Sequence, residues 1–289
     1  MSNGSELAGL RSELANTQAR QRELARLLSI YMSEAGLERE ERVDRARSYA
    51  DLALAVVGGT SAPTGELQDC AAVGRSDYVG YYCSGCLVDR RLVVTAAHCG
   101  PPSSTVPNSV ALRLDSTQDL AGADVRSALF DAHPDFVPDG PNDIAAMVLD
   151  QASAVEPVEM ASTEELEAAS VVLLAGFGDD APSGGSGFGT KRQATVPIQF
   201  LAGGPSDTSS NPFRNGDFDR QLEFLVGIDG IGACFGDSGG PAYIEVRGHR
   251  KLAGVVSRPP RLQVPVCNGL TIITRIDVHK TWIESRILG

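Results

Sequence analysis

A serine hydroxyl is a weak nucleophile at neutral pH until a neighbouring base removes its proton. The oxyanion that then develops needs preorganised donors, each worth roughly 3–4 kcal/mol where tested by removal. Gly236-Asp237-Ser238-Gly239-Gly240-Pro241 supplies a nucleophile, Ser238, together with backbone N–H groups of Gly236 and Ser238 that can aim into one hole. Gly236 permits the sharp turn this requires, and Gly239 and Gly240 leave room for close backbone approach behind the serine. Alone, the hexapeptide reads equally well as a glycine-rich turn. Two further segments complete a catalytic constellation. Thr95-Ala96-Ala97-His98-Cys99 closes an apolar strand and places a base, His98, at its end, while Asn142-Asp143-Ile144-Ala145 opens another strand with a carboxylate. A carboxylate at a buried strand entry is costly without partners, and an imidazole N–H is a suitable one. Asp143 is therefore expected to fix the tautomer of His98, and His98 to take the Ser238 proton. His133, His249 and His279 lack such a setting and are assigned surface or structural roles.

The elements that must hold these residues change character at Val56. Downstream, short β-branched and apolar runs (Leu92 to Thr95, Ile144 to Leu149, Val171 to Leu174, Leu222 to Val226, Leu252 to Val256, Leu270 to Ile273) alternate with Gly/Pro-rich turns, the pattern of an all-β sandwich or barrel. Thr281 to Ile287, with Trp282, predicts a short terminal helix, and the Gly/Ser-rich stretch from Pro182 to Gly189 a surface loop. Upstream, Leu7, Leu10, Leu14, Thr17, Gln21, Leu24, Leu28 and Tyr31 step by three and four, a heptad seam weakened at its centre. After a break at Gly36, Val43, Ala46, Ala50 and Leu54 form a second stripe. Residues 5–55 thus predict a helical hairpin. It serves equally as a pair packed on the downstream domain or as a prodomain for self-association or an activating protein partner.

Residues 56–289 resemble the chymotrypsin/trypsin family of serine proteases. The matching motifs are Val56-Val57-Gly58-Gly59, Thr95 to Cys99, His133-Pro134-Asp135-Phe136, Asn142 to Ala145, Ala175-Gly176-Phe177-Gly178, Gly236 to Pro241, Gly254-Val255-Val256-Ser257, and Thr274-Arg275-Ile276 ahead of Trp282-Ile283. They occur in the family's order, His then Asp then Ser. The resemblance implies two antiparallel six-stranded β-barrels with the triad in the cleft between them, a C-terminal helix, protein or peptide substrates, and no cofactor or metal. It also implies disulfides Cys83–Cys99 and Cys234–Cys267. Cys70 and Cys86 remain, expected to face each other on adjacent strands, where a third disulfide is plausible. The rival view, Cys83-Ser84-Gly85-Cys86 as half a zinc site, finds no second Cys/His pair at ligand spacing.

By the same resemblance, Gly232, Ala233, Ser257 and Thr271 line the specificity pocket, with Phe235 at its mouth. A pocket without a carboxylate gives Lys or Arg no counter-charge, so small or medium neutral side chains are expected, unless Asp229 reaches in from its loop. Arg258-Pro259-Pro260-Arg261 departs from the family, and Pro259 has no N–H for a substrate strand. Val56, freed by cleavage after Ala55, is expected to pair its ammonium with Asp237, which makes the uncut chain a zymogen. An alternative of another class is a pseudoprotease, a scaffold or binding protein assembled through its N-terminal helices, but the intact triad favours the enzyme.

Composition sets outer bounds. The 289 residues carry a formal net charge of −12, with eight basic and nine acidic residues in 1–55 and 17 against 28 beyond. That balance argues against nucleic-acid binding. No run reaches the ~18 apolar residues of a membrane span. Arg11, Glu13, Arg20, Arg22, Glu23 and Arg26 interrupt any signal-like segment, which favours the cytoplasm, whereas six cysteines favour an oxidising compartment. The compartment stays open between the two.

Overall fold

The structure, a computed structural model, describes residues 59–75, 80–100, 108–181, 186–261, 263, 267 and 269–287. The helical hairpin expected over 5–55 and the motif residues Val56, Val57 and Gly58 lie outside the described residues. So does the first half of the expected Gly/Ser-rich loop, residues 182–185.

Two closed antiparallel barrels follow one another along the chain. The first is built from β2 (Cys70–Arg75), β3 (Tyr81–Asp89), β4 (Leu92–Thr95), β5 (Asn108–Leu112), β6 (Asp124–Ala132) and β7 (Ala145–Leu149). They pair in the ring order β2-β3-β4-β7-β6-β5. The second uses β9 (Val171–Gly176), β10 (Arg192–Phe200), β11 (Glu223–Val226), β12 (Pro241–Val246), β13 (His249–Arg258) and β14 (Thr271–Arg275). These pair in the order β9-β10-β11-β14-β13-β12, and β12 closes back on β9. Two short strands add to it: β1 (Thr60–Ser61) beside β10 and β8 (Glu159–Met160) parallel to β13. Closure removes the unpaired edges that would otherwise recruit other chains.

The strands fold as they do because their apolar residues alternate. In β10, Ala194, Val196, Ile198 and Phe200 are buried and the residues between them are not, the period-two pattern of a half-buried strand. Each barrel has its own filling. Val73, Leu87, Val93, Val110, Leu112 and Met147 pack the first, and Leu174, Val196, Ile198, Phe224, Ile244 and Ile273 the second. A third cluster, including Leu92, Val94, Tyr243, Leu252, Val255 and Ile276, lies between the barrels. Each such side chain contributes roughly 1.5–3 kcal/mol by leaving water. Helix α1 (Thr163–Glu167) begins with a capping box, Ser162 Oγ accepting from Glu165 N while Glu165 reaches back to Ser162 N at 2.9 Å. The terminal helix α2 spans Lys280–Ile287 and buries Ile283.

One expectation changes here. Cys83–Cys99 and Cys234–Cys267 are bonded, but Cys70 and Cys86 are free thiols. They do face each other in the β2–β3 register, as expected. Cys86 Sγ lies instead 3.6 Å from Asp69 Oδ2 and 3.7 Å from Tyr243 Oη, and Tyr243 donates to the same carboxylate at 2.6 Å. Polar partners thus occupy the thiol that the expected disulfide would have consumed, and burial pushes its pKa up. Cys83, tied to Cys99, is also lost to any zinc half-site. The polar stretch from Gly203 to Asp219 hides a small core of its own: Phe213 and Phe218 pack on Phe200, Leu225 and Ile272.

Candidate active site

β4 ends at Thr95, whose hydroxyl donates to Ser84 O at 2.7 Å, and the chain then tightens into a 3-10 turn over Ala97–Cys99. Ala97 and Cys99 are buried, and the Cys83–Cys99 disulfide ties the turn to β3. His98, between them, turns outward with its side chain 39% exposed. Asp143 comes from the approach to β7, just after Asn142, which holds a left-handed backbone at φ 59°. Its side chain is only 5% exposed. Three groups satisfy the carboxylate and a fourth the backbone carbonyl. The His98 backbone N–H donates to Oδ1 at 3.0 Å, His98 Nδ1 lies 2.8 Å from Oδ2, Ser257 Oγ donates to Oδ2 at 2.6 Å, and Thr274 Oγ1 donates to the Asp143 carbonyl at 3.1 Å. Burial pushes the Asp143 carboxyl up, but the hydrogen bonds and charge of His98 with the Ser257 hydroxyl outweigh it and hold the pKa below the ordinary value. An ionised Asp143 accepts, so Nδ1 carries the proton and Nε2 remains the ring's acceptor.

Ser238 sits in a loop sewn to the first barrel. Ser84 N donates to Ser238 O at 2.8 Å and Ser84 Oγ to Gly236 O at 2.9 Å. Gly236 and Gly239 hold φ of 95° and 78°, and a Cβ at Gly239 would overlap Thr95 and Ala96. Side chains are therefore excluded behind the serine. Asp237 points away from the cleft into the protein. Its two oxygens accept from Gly178 N at 2.8 Å and Cys234 N at 2.9 Å. Burial dominates these donors and pushes its pKa up to about 6, with Arg192 pulling down and Asp179 pushing up.

His98, Asp143 and Ser238 line one cleft of about 280 Å³, shared with Ala233, Cys234, Phe235, Ser257, Thr271 and Asp139. Ala233, Ser257 and Thr271 line this cleft, and Phe235 is exposed at 53% beside them. Gly232 is not among the lining residues. It is buried against Gly269, whose carbonyl leaves no space even for a Cβ. Asp229 is exposed and does not line the cleft, so it brings no counter-charge there.

Two contributions went unread in the sequence. Of the surface or structural roles expected for His279, the structure shows the structural one: it is buried, with Nδ1 2.7 Å from Arg275 O and Nε2 3.0 Å from Asn142 Oδ1, immediately beside Asp143. Asn142 Nδ2 in turn donates to Asp135 O at 3.2 Å. Burial lowers the His279 pKa, against the Arg275 carbonyl, which raises it. The second is Glu223, fully buried at the start of β11 and paired with Arg258. Neither has a local signature, since the partners lie 137 and 35 residues away.

The family model for trypsin matches residues 56–283. Among curated proteins, the chain is 28% identical over 250 residues to a vitellin-degrading protease of Bombyx mori, covering 78% of this chain and 89% of that protein. It is 26% identical over 211 residues to a trypsin of Phaedon cochleariae, covering 71% and 78%. A third similarity, 27% over 263 residues and covering 86% and 90%, is to coagulation factor IX of Oryctolagus cuniculus. Fold, motif order and the matched span agree, and the chain belongs to the trypsin family.

Proposed function

We propose that the chain is a serine endopeptidase that cleaves peptide bonds through an acyl-enzyme on Ser238. The observation that carries this is the hydrogen-bonded line from Ser257 through Asp143 to His98, running into a cleft that Ser238 also lines. Asp143 holds His98 in the tautomer that accepts at Nε2. His98 takes the Ser238 proton as Oγ attacks the carbonyl carbon, and the N–H groups of Gly236 and Ser238 receive the oxyanion. The imidazolium then protonates the departing amine as the peptide C–N bond breaks. Water, deprotonated by the same imidazole, hydrolyses the ester.

The substrate residue before the scissile bond is small or medium and neutral. Ala233, Thr271 and the Cys234–Cys267 disulfide wall the cleft, and Ala233 N is already bonded to Thr271 Oγ1 at 3.1 Å. The protein is made as a zymogen and activated by cleavage between Ala55 and Val56. Support for this lies in Asp237, a buried carboxylate whose charge two backbone donors leave under-compensated, the situation an inserted ammonium relieves. The test is a peptide library digested by the processed chain, with Ser238→Ala beside it. Cleavage after Ala, Val or Leu is expected, with turnover lost by on the order of 10⁴–10⁶ in the variant while circular dichroism is unchanged. Dominant cleavage after Lys or Arg overturns the pocket assignment, and undiminished turnover in Ser238→Ala overturns the mechanism.

A further inference from the structure

Arg258, the last residue of β13, is among the residues that line the cleft and is held by protein partners rather than by solvent. Its side chain is 13% exposed and that of Glu223 is 0% exposed. The two meet fork to fork, Nη1 donating to Glu223 Oε1 at 2.6 Å and Nη2 to Oε2 at 3.1 Å. Glu223 also accepts from Asp219 N at 2.8 Å. Arg258 Nη1 reaches two further acceptors, Gly140 O at 3.0 Å and Ser257 Oγ at 3.1 Å. Ser257 Oγ is the hydroxyl that donates to Asp143 Oδ2 at 2.6 Å.

We infer that Arg258 and Glu223 are positioning residues for His98 and Asp143, extending the hydrogen-bonded line of the candidate site to Glu223–Arg258–Ser257–Asp143–His98. This rests on the peptidase assignment above and deepens it. A hydroxyl has one proton and can point it either way. A guanidinium that donates to its oxygen settles the choice: the Ser257 proton is left for Asp143. A guanidinium has donors only and no acceptor, so Arg258 does not compete for that proton. The guanidinium also fixes Gly140 O, three residues before Asp143, to the second barrel, so the loop entering β7 is held across the cleft. Bonds in such a line strengthen one another in a low-dielectric interior. Glu223 has a distinct role. It balances a cation that would otherwise face the imidazolium formed at His98. Asp139, the other ionisable group lining the cleft, has no part in the line and is unchanged in the test.

The test follows the titration midpoint of His98 by NMR in the full chain, with urea unfolding beside it. Glu223→Gln leaves the Arg258 charge unbalanced, disfavours the imidazolium, and moves the midpoint to lower pH by on the order of threefold in proton affinity. Arg258→Met leaves a buried anion and moves it the other way; this variant is the one at risk of failing to fold. The double variant Arg258→Met with Glu223→Met removes both charges, a replacement that buried ion pairs commonly tolerate. It is expected to fold, to bring the midpoint back near that of the parent, and after processing to lose about tenfold in kcat with a smaller change in KM. An unmoved midpoint in folded Glu223→Gln, or a double variant altered only in KM, overturns the positioning role. Absence of peptidase activity in the processed parent overturns the peptidase assignment instead, and the NMR titration still reads the coupling.

Discussion

At the scale of the residue, Asp143 and Asp237 are two buried carboxylates driven in opposite directions. Asp143 has an imidazole and a hydroxyl for partners, and its pKa falls. Asp237 has two backbone N–H groups and full burial, and its pKa rises from 3.8 to about 6. The sign of its linkage follows. Between those two values the native chain holds a proton that the unfolded chain has released, so the Asp237 contribution to stability falls as pH rises through that window, by on the order of 3 kcal/mol. Cleavage at Ala55–Val56, by bringing an ammonium to this carboxylate, is expected to lower its titration below the ordinary aspartate range. Carbon-13 NMR of the Asp237 carboxyl in uncut and cut chains measures this directly. An identical midpoint in both would remove Asp237 from the activation mechanism.

Among the elements, the 3-10 turn that carries His98 depends most on a single cross-link. It has no side-chain cap at Ala96, and the Cys83–Cys99 disulfide spans 16 residues between β3 and the turn. Closing a loop of that length contributes about 3 kcal/mol through the unfolded chain. Cys83→Ala with Cys99→Ala is therefore expected to lower unfolding stability by about that amount in urea titrations. Turnover should fall further than stability alone explains, because the turn loses its tie to β3. Equal stability with and without the bond would place the turn's support elsewhere, in Thr95 and Ser84. Much of this element scale is visible in sequence. The apolar runs Leu92 to Thr95 and Val171 to Leu174 mark β4 and β9, and Thr281 to Ile287 marks α2. The bonds of Asn142 to His279, of Ser257 to Asp143, or of Arg258 to Glu223, join segments too far apart for any local pattern to record.

For the whole molecule, the expected outcome is that the full chain is nearly inactive and that a chain beginning at Val56 hydrolyses peptides. The bonds that join the Ser238 loop to its surroundings include those of Ser84 to the carbonyls of Gly236 and Ser238, of Gly239 N to Val256 O at 2.7 Å, and of Gly178 N to Asp237. A change at Asp237 thus acts on the loop that carries both proposed oxyanion donors. N-terminal sequencing of the active species decides it. Full activity with Met1 to Ala55 still attached would discard the zymogen, and the peptidase assignment would survive.

What the sequence determined by itself was an all-β pattern and a set of motifs in one order, because apolar alternation and motifs are local properties of a chain. The two-barrel architecture and the cysteine pairs Cys83–Cys99 and Cys234–Cys267 came only as what the family resemblance implies. Only the tertiary structure decided that Cys70 and Cys86 stay reduced beside Asp69 and Tyr243, and that Gly232 is walled off by Gly269. It also decided that His279, open between a surface and a structural role, is buried and supports Asn142, and that the Arg258 departure is an ion pair with Glu223 bonded to Ser257. Each of these depends on which polar groups are buried together, and burial is set by how two separately coded barrels meet rather than by any stretch of sequence within either.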